Sequence, residues 1–176
     1  DISANEYIIG YLLQSRALKE TDLRTFRPSV CNRLDRNTSG LIAAGKTLQA
    51  LQQLSEMFRD RSLKKYYLCL VRGKVLSDSH ISGYLKKYPG TNRVTVSRTP
   101  SGSASPIETE YHIIKQEEDV TLLEVHLITG RSHQIRAHLA HAGHPLLGDP
   151  VYGCADEGFF LHHYRVELPG FTATLC

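Results

Sequence analysis

The sequence predicts an α+β fold in which a mixed, largely antiparallel central sheet is flanked by helices and loops. Three observations lead to this class: strand-like segments dominate, they do not alternate regularly with helices, and residues 107–115 and 120–129 are two strands joined by a short turn. A length of 176 residues, with 41% hydrophobic and 22% charged residues, suits one domain with a sizeable core. We therefore interpret residues 1–176 as a single domain.

The first third of the chain predicts two helices on either side of a short strand. Residues 5–18 carry apolar side chains at helical spacing, and residues 41–45 form a short apolar run after a turn, typical of a buried strand. Thr47 is placed to cap the second helix, which we expect to end near residues 59–62. The apolar stripe of that helix consists of Leu48, Leu51, Leu54 and Phe58.

The middle of the chain predicts a central strand followed by loops. Residues 65–72 are aromatic and aliphatic on both faces, as expected of a central strand, and Gly73 ends it. Residues 77–106 are rich in Ser, Gly, Pro and Lys. We expect loops there around one short hairpin, with a strand at residues 93–97.

The last part of the chain predicts a helix and a final strand beyond the pair at 107–115 and 120–129. The helix follows Thr129 and ends at Gly143 and Pro145. Residues 159–168 are predicted as the last strand. The apolar face of the helix consists of Ile135, Leu139 and Ala142.

Charge is distributed unevenly along the chain. Residues 1–100 hold 17 Lys and Arg against 8 Asp and Glu, whereas residues 101–176 hold 4 against 10, which together give the net charge of +3. A basic half favours an anionic partner such as RNA or DNA, although ordinary solvated surface gives the same imbalance. No apolar run approaches the length of a membrane span. The four cysteines form no C-x-x-C pair, which favours reduced thiols in a cytoplasmic protein.

Asp35 lies in the stretch R-L-D-R-N-T-S-G at residues 33–40. The guanidinium groups of Arg33 and Arg36 favour an ionised carboxylate, and the turn-forming residues that follow would fix its direction. A nucleophilic carboxylate must be ionised, oriented and reachable. An exposed ion-pair cluster, worth about 0–1 kcal/mol, would also explain the stretch, so the residues alone leave both interpretations open.

Residues 129–136 read T-G-R-S-H-Q-I-R and lie where a strand runs into a helix N-terminus. Amide N–H groups and the positive end of the helix dipole gather at such a junction, where Arg131 could pair with a carboxylate or a phosphate. Capping by Thr129 or Ser132, with arginines on the surface, is the alternative.

A group of histidines at residues 133–144 raises the question of a metal site. Two of them are three residues apart, but there is no H-E-x-x-H motif and no acidic residue shares the helix, so we predict no metal site. Polar or RNA-facing histidines are the preferred interpretation. The group consists of His133, His138, His141 and His144.

Tyr66 and Tyr67 begin the predicted central strand directly after a basic group that includes Lys65. A strand tyrosine usually packs in the core with its hydroxyl hydrogen-bonded. It could instead offer a flat face to a flipped base, and the basic group could steer phosphates. A solvated helix end explains the basic group equally well.

Taken together, three motifs resemble those of the RluA-type pseudouridine synthases, including RluC-like and RluD-like members. R-L-D-R-N-T-S-G-L followed by G-K-T resembles the first motif, and K-K-Y-Y-L-C-L-V-R-G at residues 64–73 resembles the second. The third is L-I-T-G-R-S-H-Q-I-R-A-H-L-A-H-A-G-H-P-L-L-G-D-P-V-Y-G at residues 127–153. The resemblance spans about residues 28–168 in the family's order and identifies the chain as a catalytic domain.

The chain departs from the family pattern in two ways. Asn32 stands where the family usually has His, which affects a contact behind the acid more than the acid itself. The family's upstream strand with its N-K-P-x-G motif and the S4-like RNA-binding domain are absent from this sequence. We therefore expect a catalytic domain without its front-edge strand.

The resemblance implies isomerisation of uridine to pseudouridine in RNA through base flipping, without a cofactor. It makes Asp35 the catalytic acid, acting as nucleophile or as base on the ribose. It makes Arg131 the partner that keeps Asp35 ionised. It makes Tyr67 the residue that packs against the base and helps to remove the C5 proton.

The resemblance also indicates substrate-binding residues. Arg33 would fill the gap left by the extruded base, and Ile135 would form part of the apolar wall of the pocket. Arg36, which would hold the turn, and Lys65 are further candidates.

The expected partner is structured RNA, most of all ribosomal RNA. Transfer RNA and a non-catalytic RNA-binding role are the alternatives. A metal-dependent hydrolase and a plain interaction domain are rival classes, which bound metal and the lack of an acid-lined pocket would reveal. We expect a cytoplasmic monomer that needs no metal and no membrane.

Overall fold

The computed structural model describes residues 2–153 and 158–175. Their contacts form two compact units: the first takes the residues up to Leu34 together with Ile42–Leu63, and the second takes Asp35–Leu41 together with the residues from Lys64 onwards. The interpretation of residues 1–176 as one catalytic domain stays a prediction. Cys154 and Cys176 lie outside the described residues.

The described residues contain three α-helices and ten strands. The helices are α1 (Ala4–Gln14), α2 (Leu48–Asp60) and α3 (Gln134–His141). The strands are β1 (Ser29–Val30), β2 (Ser39–Gly40), β3 (Ala44–Gly45), β4 (Lys64–Arg72), β5 (Ser79–Lys87), β6 (Val94–Ser97), β7 (Ser105–Gln116), β8 (Val120–Leu127), β9 (Leu161–Leu168) and β10 (Phe171–Thr174). A short 3-10 helix covers Glu20–Arg24. No helix among the described residues is both long and apolar enough to cross a membrane.

The first unit contains both capped helices and the short β1–β3 pair. Ser3 accepts the N–H of Glu6, and the Glu6 carboxylate accepts the N–H of Ser3 at 2.7 Å, which forms a capping box at α1. Thr47 accepts the N–H of Ala50 at 3.1 Å and caps α2, as the sequence predicted. The first helix is three to four residues shorter than the predicted 5–18, since Arg16 has a left-handed φ of 57°.

The second unit is built on one sheet with the order β10-β9-β4-β8-β7-β5-β6, in which all neighbours are antiparallel. Strand β2 joins this sheet by pairing parallel with β9. The predicted α+β class with a largely antiparallel mixed sheet is confirmed, and β4 is a central strand as expected. Tyr67 therefore lies on an interior strand of the sheet.

The core of the second unit lies on one face of the sheet. Side chains alternate along β4, so that Tyr67, Cys69 and Val71 are buried while Tyr66, Leu68 and Leu70 are half-buried. Helix α3 packs against β5, β6 and β7, and its residues 134–139 are all buried. One apolar cluster at this contact consists of Leu85, Val94, Ile107 and Ala137.

Three sequence predictions are corrected by the fold. The predicted strand at 41–45 is reduced to β3, because Leu41 instead donates its N–H to the His163 carbonyl. The loops predicted at 77–106 contain the nine-residue strand β5, which hydrogen-bonding on both sides stabilises despite its polar composition. Strand β10 follows the predicted last strand and was not foreseen.

Candidate active site

Asp35 lies at the start of a tight turn in the second unit. Its carbonyl accepts the N–H of Thr38 at 2.9 Å, which closes the turn that the sequence predicted. Its side chain is 22% exposed, so the carboxylate is neither sealed in the core nor free in bulk water. Arg36, the next residue, is exposed.

Gly40 fastens the Asp35 segment to strand β9. Its φ is 116°, and a Cβ placed on it would lie 2.2 Å from the His163 carbonyl oxygen. Only glycine combines that conformation with so close an approach. Leu41 donates its N–H to the same oxygen at 2.8 Å, so the backbone after Asp35 is held on both sides of Gly40.

Tyr67 projects from β4 and is 7% exposed. Burial raises the pKa of its hydroxyl well above the ordinary value, and the negative charge of Asp35 raises it further. The charge of the Asp35 carboxylate is therefore close enough to the Tyr67 hydroxyl to affect its ionisation. The hydroxyl is therefore protonated near neutral pH.

His163 lies beneath Tyr67, with the two rings stacked at 4.4 Å between centroids. Its Nδ1 lies 2.8 Å from the Leu41 carbonyl, to which it donates. Burial is the main cause that lowers its pKa to about 4, and the bond to Leu41 opposes that shift. The ring is neutral near neutral pH, with Nε2 as an unprotonated acceptor that no described residue contacts by a hydrogen bond.

Lys65 and Gly130 bring β4 close to the motif at 129–136. Lys65 is buried, and its Nζ lies 3.2 Å from the point that a Cβ on Gly130 would occupy. The positive charge of Lys65 also contributes to the low pKa of His163. Its predicted role in substrate binding stays a prediction.

The residue of this motif nearest to Asp35 is His133, not Arg131. The His133 Nε2 lies 4.0 Å from the Asp35 Oδ2, and this is the ion-pair contact of Asp35 among the described residues. Arg131 is exposed, and its backbone N–H donates to the Gln134 Oε1 at 3.0 Å. The sequence analysis named Arg131 as the partner of Asp35; the structure does not make that pair, and the catalytic role of Arg131 stays a prediction.

A buried polar network fixes the turn that leads into α3. Gln134 accepts the Thr129 hydroxyl at 2.8 Å and donates to the Glu108 carbonyl at 2.9 Å and the Thr109 hydroxyl at 3.1 Å. Gln134, Thr129 and Thr109 are buried at this strand–helix junction, where an unmade hydrogen bond is costly. These hydrogen bonds therefore fix the backbone position of His133, the residue before Gln134.

A buried ion pair supports the other side of the site. Arg136 donates from Nε to the Asp149 Oδ2 at 2.7 Å and from Nη2 to Oδ1 at 2.8 Å. Burial opposes the charged form of Asp149, but bonds from Arg136 and from the Val151 and Tyr152 N–H groups outweigh it and hold the pKa of Asp149 below its ordinary value. This pair places Tyr152, whose hydroxyl lies 2.9 Å from the His133 Nδ1.

The other predicted residues are distributed as follows. Ile135 is buried in α3, as an apolar wall residue would be, while Arg33 is exposed in the first unit. The described residues hold no group of His, Cys, Asp or Glu that could bind a metal ion. His138 is instead buried against the Thr109 hydroxyl, which lies 3.0 Å from its Nδ1.

Sequence reasoning missed His133, Tyr152 and His163. His133 and Tyr152 lie inside the third motif, so their positions in that motif could have marked them as candidate site residues. His163 lies outside every motif, and the pairing of β9 with both β2 and β4 brings it to the site.

The chain matches known proteins in family, sequence and fold. A family profile described as RNA pseudouridylate synthase matches residues 9–141. The protein named ribosomal large subunit pseudouridine synthase D of Nitrosomonas europaea is 39% identical over 127 residues, which cover 72% of this chain and 36% of that protein. The protein named ribosomal large subunit pseudouridine synthase C of Vibrio parahaemolyticus is 37% identical over 137 residues, which cover 74% of this chain and 42% of that one. The chain thus spans well under half the length of these curated relatives.

Two solved structures share the fold. Human RNA pseudouridylate synthase domain containing 4 aligns with a TM-score of 0.77 at 18% identity, covering 97% of this chain and 77% of that one. Human RNA pseudouridylate synthase domain containing 1 aligns with a TM-score of 0.74 at 24% identity, covering 88% and 70%. At these identities the likeness establishes the fold.

Proposed function

The chain belongs to the RNA pseudouridylate synthase family, and on that premise we propose that the protein isomerises uridine to pseudouridine in RNA. The observation that carries the proposal is that one buried ring, His163, stacks on Tyr67 at 4.4 Å between centroids and donates to the Leu41 carbonyl in the segment that carries Asp35. The charge of Asp35 is also a cause, after burial, of the raised pKa of Tyr67. An acid held beside a flat, buried aromatic ring suits a reaction on a single base.

Asp35 is the reacting acid in this proposal. The N1–C1′ bond of uridine breaks, a C5–C1′ bond forms, C5 loses its proton and N1 gains one, so the product is an isomer and no redox partner is needed. Asp35 either attacks the nucleotide as a nucleophile or removes a proton from the ribose. The turn closed at Thr38 and the contact of Gly40 with β9 support either role, because both hold the carboxylate in place.

Tyr67 supplies a ring face for the base and a hydroxyl near C5. Because its pKa is raised, its oxygen takes a proton from C5 only if the phenolic proton moves to an acceptor in the same step. Asp35, whose charge reaches the phenol, is the proposed acceptor once its carboxylate is not bonded to the sugar. Ile135 completes the apolar wall, and Arg131 contacts the phosphate or the carboxylate once RNA is bound.

RNA binding is proposed to use exposed basic residues. The β5–β6 hairpin and its flanks are rich in lysine and arginine, and the charge of Lys87 reaches His133 at the site. Phosphate contacts of this kind supply most of the affinity and little of the sequence preference. The exposed Arg33 and Arg36 are further proposed phosphate contacts, and Lys65, which is buried beside Gly130, is a proposed contact inside the site.

Ribosomal RNA is the proposed substrate, because the curated relatives carry that substrate in their names. Transfer RNA is the second candidate. We also propose a cytoplasmic monomer that works without metal or cofactor, with Cys31 and Cys69 as free thiols.

The test is release of tritium from RNA labelled at uridine C5, with ribosomal and transfer RNA as separate substrates. Asp35→Asn should abolish release while RNA affinity stays unchanged. Glu118→Gln, which changes an exposed carboxylate in the β7–β8 turn, is the matched control and should keep full activity. Release that survives Asp35→Asn, or that EDTA abolishes, would reject the proposal.

A further inference from the structure

His133 adopts a backbone conformation that its residue type rarely takes. Its φ is 56° and its ψ is 15°, at the position that caps α3. Such left-handed residues cost roughly 1–2 kcal/mol each and persist where the surroundings hold them. The buried bonds of Gln134 to Thr129 and to Glu108 hold this one, and the resulting direction carries the ring toward Asp35.

The hydrogen bonds around Tyr152 favour one tautomer of His133. The Tyr152 oxygen accepts the N–H of Val94 at 3.0 Å and lies 2.9 Å from the His133 Nδ1. Among the described residues, Nδ1 is the acceptor within reach of the single phenolic proton. This geometry suits donation from Tyr152 to Nδ1, an arrangement in which the proton of the neutral ring is on Nε2.

The Nε2 nitrogen is the one that faces the acid. It lies 4.0 Å from the Asp35 Oδ2, with the His133 side chain 8% exposed. A hydrogen bond needs a separation of about 2.7–3.2 Å, so a movement of about 1 Å would make it. Contacts of this kind are often long in an unliganded site and shorten when substrate is bound.

The position of Tyr152 is set by buried groups. Its N–H donates to the Asp149 Oδ1 at 3.2 Å, and the Arg136 guanidinium lies 5.2 Å from its ring centroid. A Cβ on Gly153 would lie 2.7 Å from the Leu146 carbonyl, so the backbone after Tyr152 is also fixed. The ring that orients His133 is thus held by an ion pair rather than by a mobile surface loop.

We propose that His133 is a positioning residue that directs the Asp35 carboxylate through a neutral Nε2–H donor, and that Tyr152 fixes the tautomer which makes this possible. The inference rests on the proposed function, because it assigns a role to Asp35 as the reacting acid. A neutral donor aims the carboxylate without adding a second full charge beside it, which leaves its electron pair available for the reaction.

The charges that face His133 are consistent with a neutral ring. Burial is the largest cause that lowers the pKa of His133 below its ordinary value; Arg136 and Lys87 lower it further, while Asp35 and Asp149 raise it. Tyr152 also faces the ring, as a neutral phenol whose own pKa burial raises. The imidazole consequently carries one proton near neutral pH.

The test uses three variants of the full chain. His133→Leu removes both nitrogen atoms, His133→Gln keeps an N–H donor near Nε2 and an oxygen that accepts from Tyr152, and Tyr152→Phe removes only the hydroxyl. Misplacing a reacting group by about 1 Å costs on the order of 100-fold, so His133→Leu should lower kcat by about that factor with KM nearly unchanged. His133→Gln should recover most of this loss, and Tyr152→Phe should fall between the two.

Nitrogen-15 NMR of the imidazole supplies a readout independent of activity. The wild-type His133 should show a protonated Nε2 and an unprotonated Nδ1 at about neutral pH, and Tyr152→Phe should weaken that preference. An Nδ1–H tautomer, or an imidazolium, would overturn the inference even if the protein is fully active. Equal losses in the Gln and Leu variants, or a change in KM alone, would also overturn it. Absence of tritium release by the wild type would count against the proposed function instead, while the tautomer would still be measurable.

Discussion

The imidazole ring of His163 lies parallel to the phenol ring of Tyr67, with 4.4 Å between centroids and 15° between planes. The same imidazole donates to the Leu41 carbonyl and is fully buried. One neutral ring thus joins the candidate catalytic tyrosine of β4 to the backbone segment that carries Asp35. Any change at His163 should therefore affect both candidate catalytic groups.

The first prediction concerns stability in acid. The pKa of His163 is lowered to about 4 from an ordinary 6.5, mainly by burial, and that of His138 is lowered to about 4 for the same main reason. Between these values the unfolded chain binds protons that the folded chain does not, so stability rises with pH across this window and is lost as the pH falls. Each of these two histidines should lower the free energy of unfolding by roughly 3 kcal/mol when the pH falls from neutral to about 4. Urea unfolding at several pH values measures this loss.

The variant that isolates this effect is His163→Phe, which keeps a ring against Tyr67. It should lose about 1 kcal/mol near neutral pH with the bond to Leu41, and its stability should fall less steeply in acid than that of the wild type. His144→Gln, a change at a half-buried histidine after α3, is the control and should follow the wild-type curve. An unchanged acid slope in His163→Phe would contradict the assignment.

The second prediction concerns Gly40. Gly40→Ala places a Cβ 2.2 Å from the His163 carbonyl at a φ of 116°. Strain alone costs about 1–3 kcal/mol, and the clash must additionally displace the segment after Asp35. The free energy of unfolding should therefore fall by more than the strain cost alone. Tritium release should also fall, because the segment that carries Asp35 is displaced.

Gly170→Ala is the matched control for Gly40. Gly170 also has a positive φ, of 79°, but a Cβ there would meet no atom within 4 Å. Gly170→Ala should therefore lower the free energy of unfolding only by the backbone strain, about 1–2 kcal/mol, and leave tritium release unchanged. Equal effects of the two substitutions on activity would show that close contact with β9 does not position Asp35.

Local sequence patterns were enough to predict those parts of the fold in which one segment carries its own signal. Strand β4 is aromatic and aliphatic on both faces, and Thr47 caps α2, so both were recognisable from their own segment. Strand β5 was missed because its serines, lysines and Gly83 are typical of loops. Gly83 is explained only by tertiary contact, since a Cβ there would lie 3.1 Å from the Ser97 carbonyl.

In the candidate site, too, some residues could be predicted from local sequence and others could not. Asp35 and Tyr67 were predicted from motifs, and the structure places the charge of one where it acts on the hydroxyl of the other. The position of His133 next to Asp35 depends on a left-handed φ that no residue pattern encodes. The same dependence on backbone direction explains why Arg131, two residues earlier, is exposed and does not pair with Asp35.

The third prediction concerns the ion pair of Arg136 and Asp149. Asp149→Ala leaves the guanidinium buried without its carboxylate and should lower the free energy of unfolding by about 3–5 kcal/mol. Arg136→Met combined with Asp149→Leu removes both charges and should recover part of this loss. Urea unfolding of the single and double variants measures the coupling. A double variant no more stable than Asp149→Ala would show that the uncompensated charge is not the cause.

The last prediction separates the ring of Tyr67 from its hydroxyl. Tyr67→Phe keeps the ring that stacks on His163, so the free energy of unfolding should change by less than about 1 kcal/mol. The hydroxyl that faces the charge of Asp35 is lost, and if it moves the C5 proton, tritium release should fall on the order of 100-fold or more while RNA affinity is unchanged. Tyr67→Leu removes the ring as well and should lose both stability and activity. Tritium release by Tyr67→Phe at the wild-type rate would restrict Tyr67 to packing against the base and require another group to carry the C5 proton.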